Sequence, residues 1–305
     1  MKDIQKVTGA AILRKVRIVR GRLELLAACP PCQGFSRLRT RNGVRRNRDP
    51  RNALILDVVR LVRSIRPKCV MLENVAGLAR SRRYHKFRGA LKGMGYAMRA
   101  AILDVGDFGV PQRRRRLVLI ATKSGCPGFA RRARVTRTVR DAIGQLPAPS
   151  RSKDPLHNHS VQRSKKVDAL IHRIPVNGGS RASLGAKSQL KCHKKVKGFF
   201  DVYGRMAWGK PSPTITSGCI NPSKGRFLHP VANRAITLRE AALLQSFPLR
   251  YKFPVLQSGK YPVALLIGNA LPPEFIRRQA LHIRRTMVGL GARKAPGDDR
   301  KRMAG

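Results

Sequence analysis

The chain has 305 residues, 42% of them apolar, enough for the buried core of one large domain with a smaller companion. Sixty-five Lys and Arg stand against 15 Asp and Glu, a formal charge of +50, so polyanions, nucleic acid first, are the expected partners; an arginine-rich composition gives the same imbalance by itself. The six cysteines lack a framework spacing, no secretory segment opens the chain and no apolar run can span a bilayer, which excludes disulfide-stapled secreted and membrane-spanning classes and predicts a cytoplasmic protein.

Apolar periodicity predicts a strand over residues 23–27, an amphipathic helix over 52–65 and a strand over 68–72. A helix over 84–94 ending at Gly93/Gly95 follows, then strands over 97–103 and 117–121. This alternation predicts an α/β fold with a doubly wound sheet. From Gly125 to about Val202 the pattern decays into Pro, Gly, Ser, Lys and Arg, an irregular basic lobe. Helices return over 237–245 and 274–288, the latter opened by Pro272-Pro273. The expected division is therefore 1–124, 125–202, 203–291 and a charged, disordered tail over 292–305.

The first strand runs into Cys29-Pro30-Pro31-Cys32, a proline-stiffened turn that presents Cys32, and the strand ending at Leu72 continues into Glu73-Asn74-Val75. Loops at the carboxyl ends of neighbouring strands share a crevice, so a thiol and a carboxylate there make a site for covalent catalysis. The C-x-x-C spacing also fits a redox dithiol or half a zinc site; zinc needs two further paired ligands, which the other four cysteines do not supply, and no metal is expected. Glu73 read alone is a surface residue at a strand end. In Gln112–Arg116, strand alternation puts Arg114 and Arg116 on one face, able to hold substrate or phosphate, although an arginine run is more often a solvated patch. His157-Asn158-His159 only resembles a nuclease label and is set aside.

Taken in order, Pro31-Cys32-Gln33, Glu73-Asn74-Val75, Gln112–Arg116, Pro213-Thr214-Ile215-Thr216, Thr237–Ala241 and Gly268–Pro273 resemble the DNA cytosine-5 methyltransferases over nearly the whole chain. The resemblance implies a Rossmann-like methyltransferase sheet with residues 125–202 as the target recognition region. It implies double-stranded DNA as substrate and S-adenosyl-L-methionine as cofactor, with methyl transfer to C5 of a flipped cytosine. It makes Cys32 the nucleophile at C6, Glu73 the protonated partner of N3, and Arg116, with Arg114, the holder of the base carbonyl, carboxylate or nearby phosphate. Asp3, Asn269 and Pro31 are the implied cofactor contacts, and residues 37–51 the loop that closes over the flipped base. The family's opening Gly-rich turn and first three strands have no counterpart here, so the strand over 23–27 is expected at a sheet edge, with a separate amino-terminal polypeptide as a possible complement. Leu266 stands where a glutamine is common. A catalytically inactive or partner-dependent DNA-binding fragment and a chain that does not fold are the competing readings.

Overall fold

A computed structural model describes residues 3–31, 53–125, 128–159, 162–185 and 201–292. The chain divides into two compact units, one of Met1–Leu103, Arg115–Ala130 and Gln279–Gly305, the other of Asp104–Arg114 and Arg131–Arg278.

The first unit is a helix-backed sheet. Helix α1 (Gly9–Val16) is capped by the Thr8 hydroxyl, and strand β1 (Leu25–Ala28) follows. Helix α2 (Leu54–Ile65) buries Ile55, Val58, Val59, Leu61, Val62 and Ile65, the spacing of a single apolar stripe. Strand β2 (Cys69–Val75) is buried from Cys69 to Asn74, as its near-continuous apolar run requires. Helix α3 (Arg82–Gly93), capped by the Ser81 hydroxyl, buries only Tyr84, Phe87 and Leu91. Strands β3 (Ala97–Asp104) and β4 (Arg115–Thr122) complete the order β1-β2-β4-β3. β1 lies parallel to β2, with Leu25 beside Cys69, whereas β2 and β4 run antiparallel, with Glu73 opposite Val118. The sheet is thus mixed, and among the described residues β1 is an edge strand, as expected. Val70 and Leu72 of β2 and Leu117, Leu119 and Ala121 of β4 share one core with the buried faces of α2 and α3.

The second unit carries short helices α4 (Val139–Ile143), α5 (Lys165–Arg173), α6 (Leu238–Leu244), α7 (Val255–Ser258) and α8 (Lys260–Asn269), and the first turns of α9 (Pro273–Ala292). Helices α4, α6 and α8 share an apolar core with Met206, Ile215 and Phe227. The irregular segments between them are tied by Arg205, whose residue is only 1% exposed. Its guanidinium donates to the carbonyls of Ile171, Ile174, His229 and Ala232 and to Asn233 Oδ1. No carboxylate is needed because carbonyl oxygens satisfy the buried donors.

Candidate active site

Alternation along β2 sends Leu72 toward the helices and Glu73 toward the other face of the sheet. Because Glu73 stands opposite Val118, Arg116 is its diagonal neighbour on that same face, at a separation long side chains bridge. Arg116 Nε accordingly lies 2.9 Å from Glu73 Oε1, with the two side chains 15% and 10% exposed. Desolvation lowers the pKa of Arg116, and the charge and hydrogen bond of Glu73 oppose the fall. Glu73 therefore meets a guanidinium, not an apolar pocket alone.

Two residues assigned no role from sequence complete this end of the sheet. Asn74 donates from Nδ2 to the Pro30 carbonyl at 2.9 Å and accepts the Val75 amide at Oδ1 at 2.8 Å, fastening the turn after β1 to the end of β2. The Cys29 residue is exposed, yet its thiol is locally desolvated and pushed up to about 12, with the charge and hydrogen bond of Glu73 adding to the rise. At neutral pH Cys29 is thus a protonated donor and a poor nucleophile. Cys32 and the expected closing loop, 37–51, lie outside the described residues.

Arg114 precedes β4, so the alternation argument that paired it with Arg116 does not reach it. It belongs to the second unit, where Nη1 donates to the carbonyls of Ile215 and Gly268 at 2.9 and 3.1 Å. Beside it Gln112 accepts the Ile215 amide and donates to Gln245 Oε1. Motif segments more than a hundred residues apart therefore meet in one backbone clamp. Gly268 is obligatory there, since a Cβ would stand 2.2 Å from Ser217 N and from Thr216 C. Thr237 and Glu240 form a capping box on α6, and Glu240 is gripped by both terminal nitrogens of Arg234 at 2.7 Å. His157, buried, bridges Thr237 Oγ1 and the Pro147 carbonyl. These residues hold the fold of the second unit.

Asp3 caps the Ile4–Lys6 turn, its Oδ1 accepting the Gln5 amide at 3.0 Å, and is exposed; Pro31 and Asn269, the last residue of α8, are exposed as well. Among the described residues no group of three or more His, Cys, Asp or Glu could hold a metal ion, and no helix is long and apolar enough to cross a membrane.

Type II methylase M.HgiDII of Herpetosiphon aurantiacus is 36% identical over 286 residues, covering 89% of this chain and 78% of that protein. Type II methyltransferase M1.BsuMI of Bacillus subtilis is 32% identical over 272 residues, 86% of this chain and 61% of its own length. Among solved structures, the methyltransferase EhMeth of Entamoeba histolytica superposes with a TM-score of 0.59 at 14% identity, over 94% of this chain and 83% of that one. The Dnmt2 methyltransferase of S. pombe gives 0.54 at 16% identity, with 94% and 83% covered. At such identities the structural likeness speaks for a Rossmann-like methyltransferase fold alone. Residues 1–285 match the C-5 cytosine-specific DNA methylase family, and with relatives above 30% identity along most of the sequence, this chain is a member of that family.

Proposed function

We propose that the chain transfers a methyl group from S-adenosylmethionine to C5 of a cytosine extruded from double-stranded DNA, with Cys32 as nucleophile. The Glu73–Arg116 pair, beside the turn that Asn74 fastens, carries this reading. Cytosine C5 is a weak nucleophile, and addition of the Cys32 thiolate at C6 makes the ring electron-rich. Glu73 takes up a proton from solvent as the entering base desolvates it and donates that proton to N3 as Cys32 adds, while Arg116 holds the base carbonyl. Once the methyl group is on C5, loss of the C5 proton to solvent expels Cys32 as its thiolate, and return of the N3 proton to Glu73 leaves the neutral base. Extrusion costs a few kcal/mol and gives both side chains access to one base.

Asp3 and Asn269 supply an exposed carboxylate and amide suited to the polar edge of an adenine, and Pro31 an apolar surface; these would hold the cofactor, which when bound supplies the methyl group. Arg114 acts as a positioning residue through the Ile215–Gly268 clamp. Residues 125–202, rich in Arg and Lys, read the DNA sequence while phosphate contacts set the register.

A second reading, a DNA-binding chain that is inactive alone, is favoured by β1, whose outer edge pairs with no strand among the described residues. A separate amino-terminal polypeptide adding a strand there would complete the sheet. Incubation with duplex DNA and labelled S-adenosylmethionine, with and without neighbouring gene products, tests both. Label at cytosine C5 that disappears with Cys32→Ser supports the first; label only in mixtures supports the second; none in any mixture overturns the activity.

A further inference from the structure

Helix α3 has a face that its own fold leaves electrostatically unbalanced. Arg82, His85, Lys86, Arg88 and Lys92 are all exposed and fall within one half of the helix circumference at 100° per residue. The helix holds no carboxylate, and its first turn, where acidic residues are favoured, has none. Arg82/Lys86 and Arg88/Lys92 are like-charged pairs at the i,i+4 spacing, an arrangement that opposes helix formation. Two other helices carry local partners for their arginines: Asp57 pairs with Arg60 on α2, and Glu274 with Arg277 and Arg278 on α9. Gly89 lies at the middle of the exposed face, and a Cβ there would meet nothing within 4 Å, so no contact inside the protein calls for glycine. Across a groove of about 590 Å³ between α2 and α3, exposed Arg63 faces the same opening as Lys86.

The buried side of α3, Tyr84, Phe87 and Leu91, packs on the Leu72 face of the sheet, whereas Glu73 points from the other. We propose that the outer face of α3, with Arg63, docks the phosphate backbone of a second duplex DNA segment, distinct from the one engaged at Glu73. From Arg82 to Lys92 the helix advances about 15 Å, roughly four phosphate repeats along one strand. Bare backbone at Gly89 lets a phosphate approach between the flanking cations. The inference rests on the DNA reading above and adds a second, sequence-independent contact to it.

The test is capture of a labelled duplex on beads carrying an unlabelled one, through the full chain, across a salt series. The chain is expected to bridge the two. Lys86→Ala/Arg88→Ala/Lys92→Ala, which removes charge while raising helix propensity, should still bind the bead duplex but fail to retain the second. The slope of log affinity against log salt for that second duplex should fall by about 2.7, three contacts at 0.9 each. Arg14→Ala/Lys15→Ala/Arg22→Ala, an equal charge loss elsewhere, should keep both. Equal loss in the two triple variants, or bridging undiminished in the α3 variant, overturns the proposal. Retention of the second duplex with loss of a single-stranded RNA overturns the choice of duplex. A parent chain that binds no bead duplex at any salt overturns the DNA reading itself.

Discussion

Arg116 reaches Glu73 across one diagonal of the β2–β4 ladder, 2.9 Å from nitrogen to oxygen, on the face of the sheet away from the helices. Removing Arg116 takes from the buried Glu73 carboxylate its opposite charge. Arg116→Ala is expected to destabilise the first unit by about 3 kcal/mol and to lower methyl transfer by two orders of magnitude or more, roughly the effect of losing one such donor. Arg116→Lys should recover stability better than rate, because a point charge does not reproduce the guanidinium geometry. Denaturant midpoints and single-turnover rates check both.

The two thiols of the C-x-x-C segment should react very differently. Cys29, pushed up to about 12, stays protonated throughout the neutral range, so alkylation at pH 7.5 should mark Cys32 far faster. Peptide mapping after a short exposure reads the ratio. Cys29→Ala should cost about 1 kcal/mol in the transition state, the worth of one hydrogen bond, while Cys32→Ser should abolish transfer.

Asn74→Ala removes the side-chain donor that holds the Pro30 carbonyl and should loosen the turn that leads to Cys32. A fall in kcat of about tenfold with KM for DNA little changed is expected, as for a lost buried hydrogen bond. Asn74→Asp, which cannot donate to that carbonyl, should fail to rescue it.

His159 and His229 are both held down to about 4, first by burial, with neighbouring cations adding. Their folded pKa lies below the ordinary 6.5, so the neutral form is favoured, and the stability it contributes above pH 6.5 is lost as pH falls toward 4. Thermal unfolding between pH 7 and 4 should show it, and His229→Gln should flatten the curve.

Gly268→Ala tests the second unit's clamp. The new methyl would lie 2.2 Å from main-chain atoms that have no flexible end to yield, so a destabilisation of about 3 kcal/mol is expected by denaturant titration.

Much of the first unit is visible in its apolar spacing. The six buried positions of α2 place that helix within two residues, and the run Val70–Leu72 places a central strand that in fact continues three residues past the expected end, to Val75. The start of β4 is less visible: Arg115 and Arg116 carry no strand signal, and they extend the strand only because Asn74 and Val75 offer backbone partners. That offset removes Arg114 from the face assigned to it. Strand–helix alternation suggests parallel neighbours, so the antiparallel register that joins Glu73 to Arg116 has no local signature. The roles of Asn74 and Cys29 are hidden for the same reason, since each depends on a contact with a distant segment. His157, set aside on motif grounds, is a buried bridge to Thr237, a function that no spacing rule announces.

Arg205 grips its surroundings mainly through carbonyl oxygens, which every residue type offers equally. The tie is therefore blind to which side chains stand at residues 171, 174, 229 and 232. What limits variation at 171 and 174 is the apolar core those two isoleucines fill, and at 229 the burial of the imidazole, whereas the Arg205 tie itself survives any change that leaves the backbone where it is.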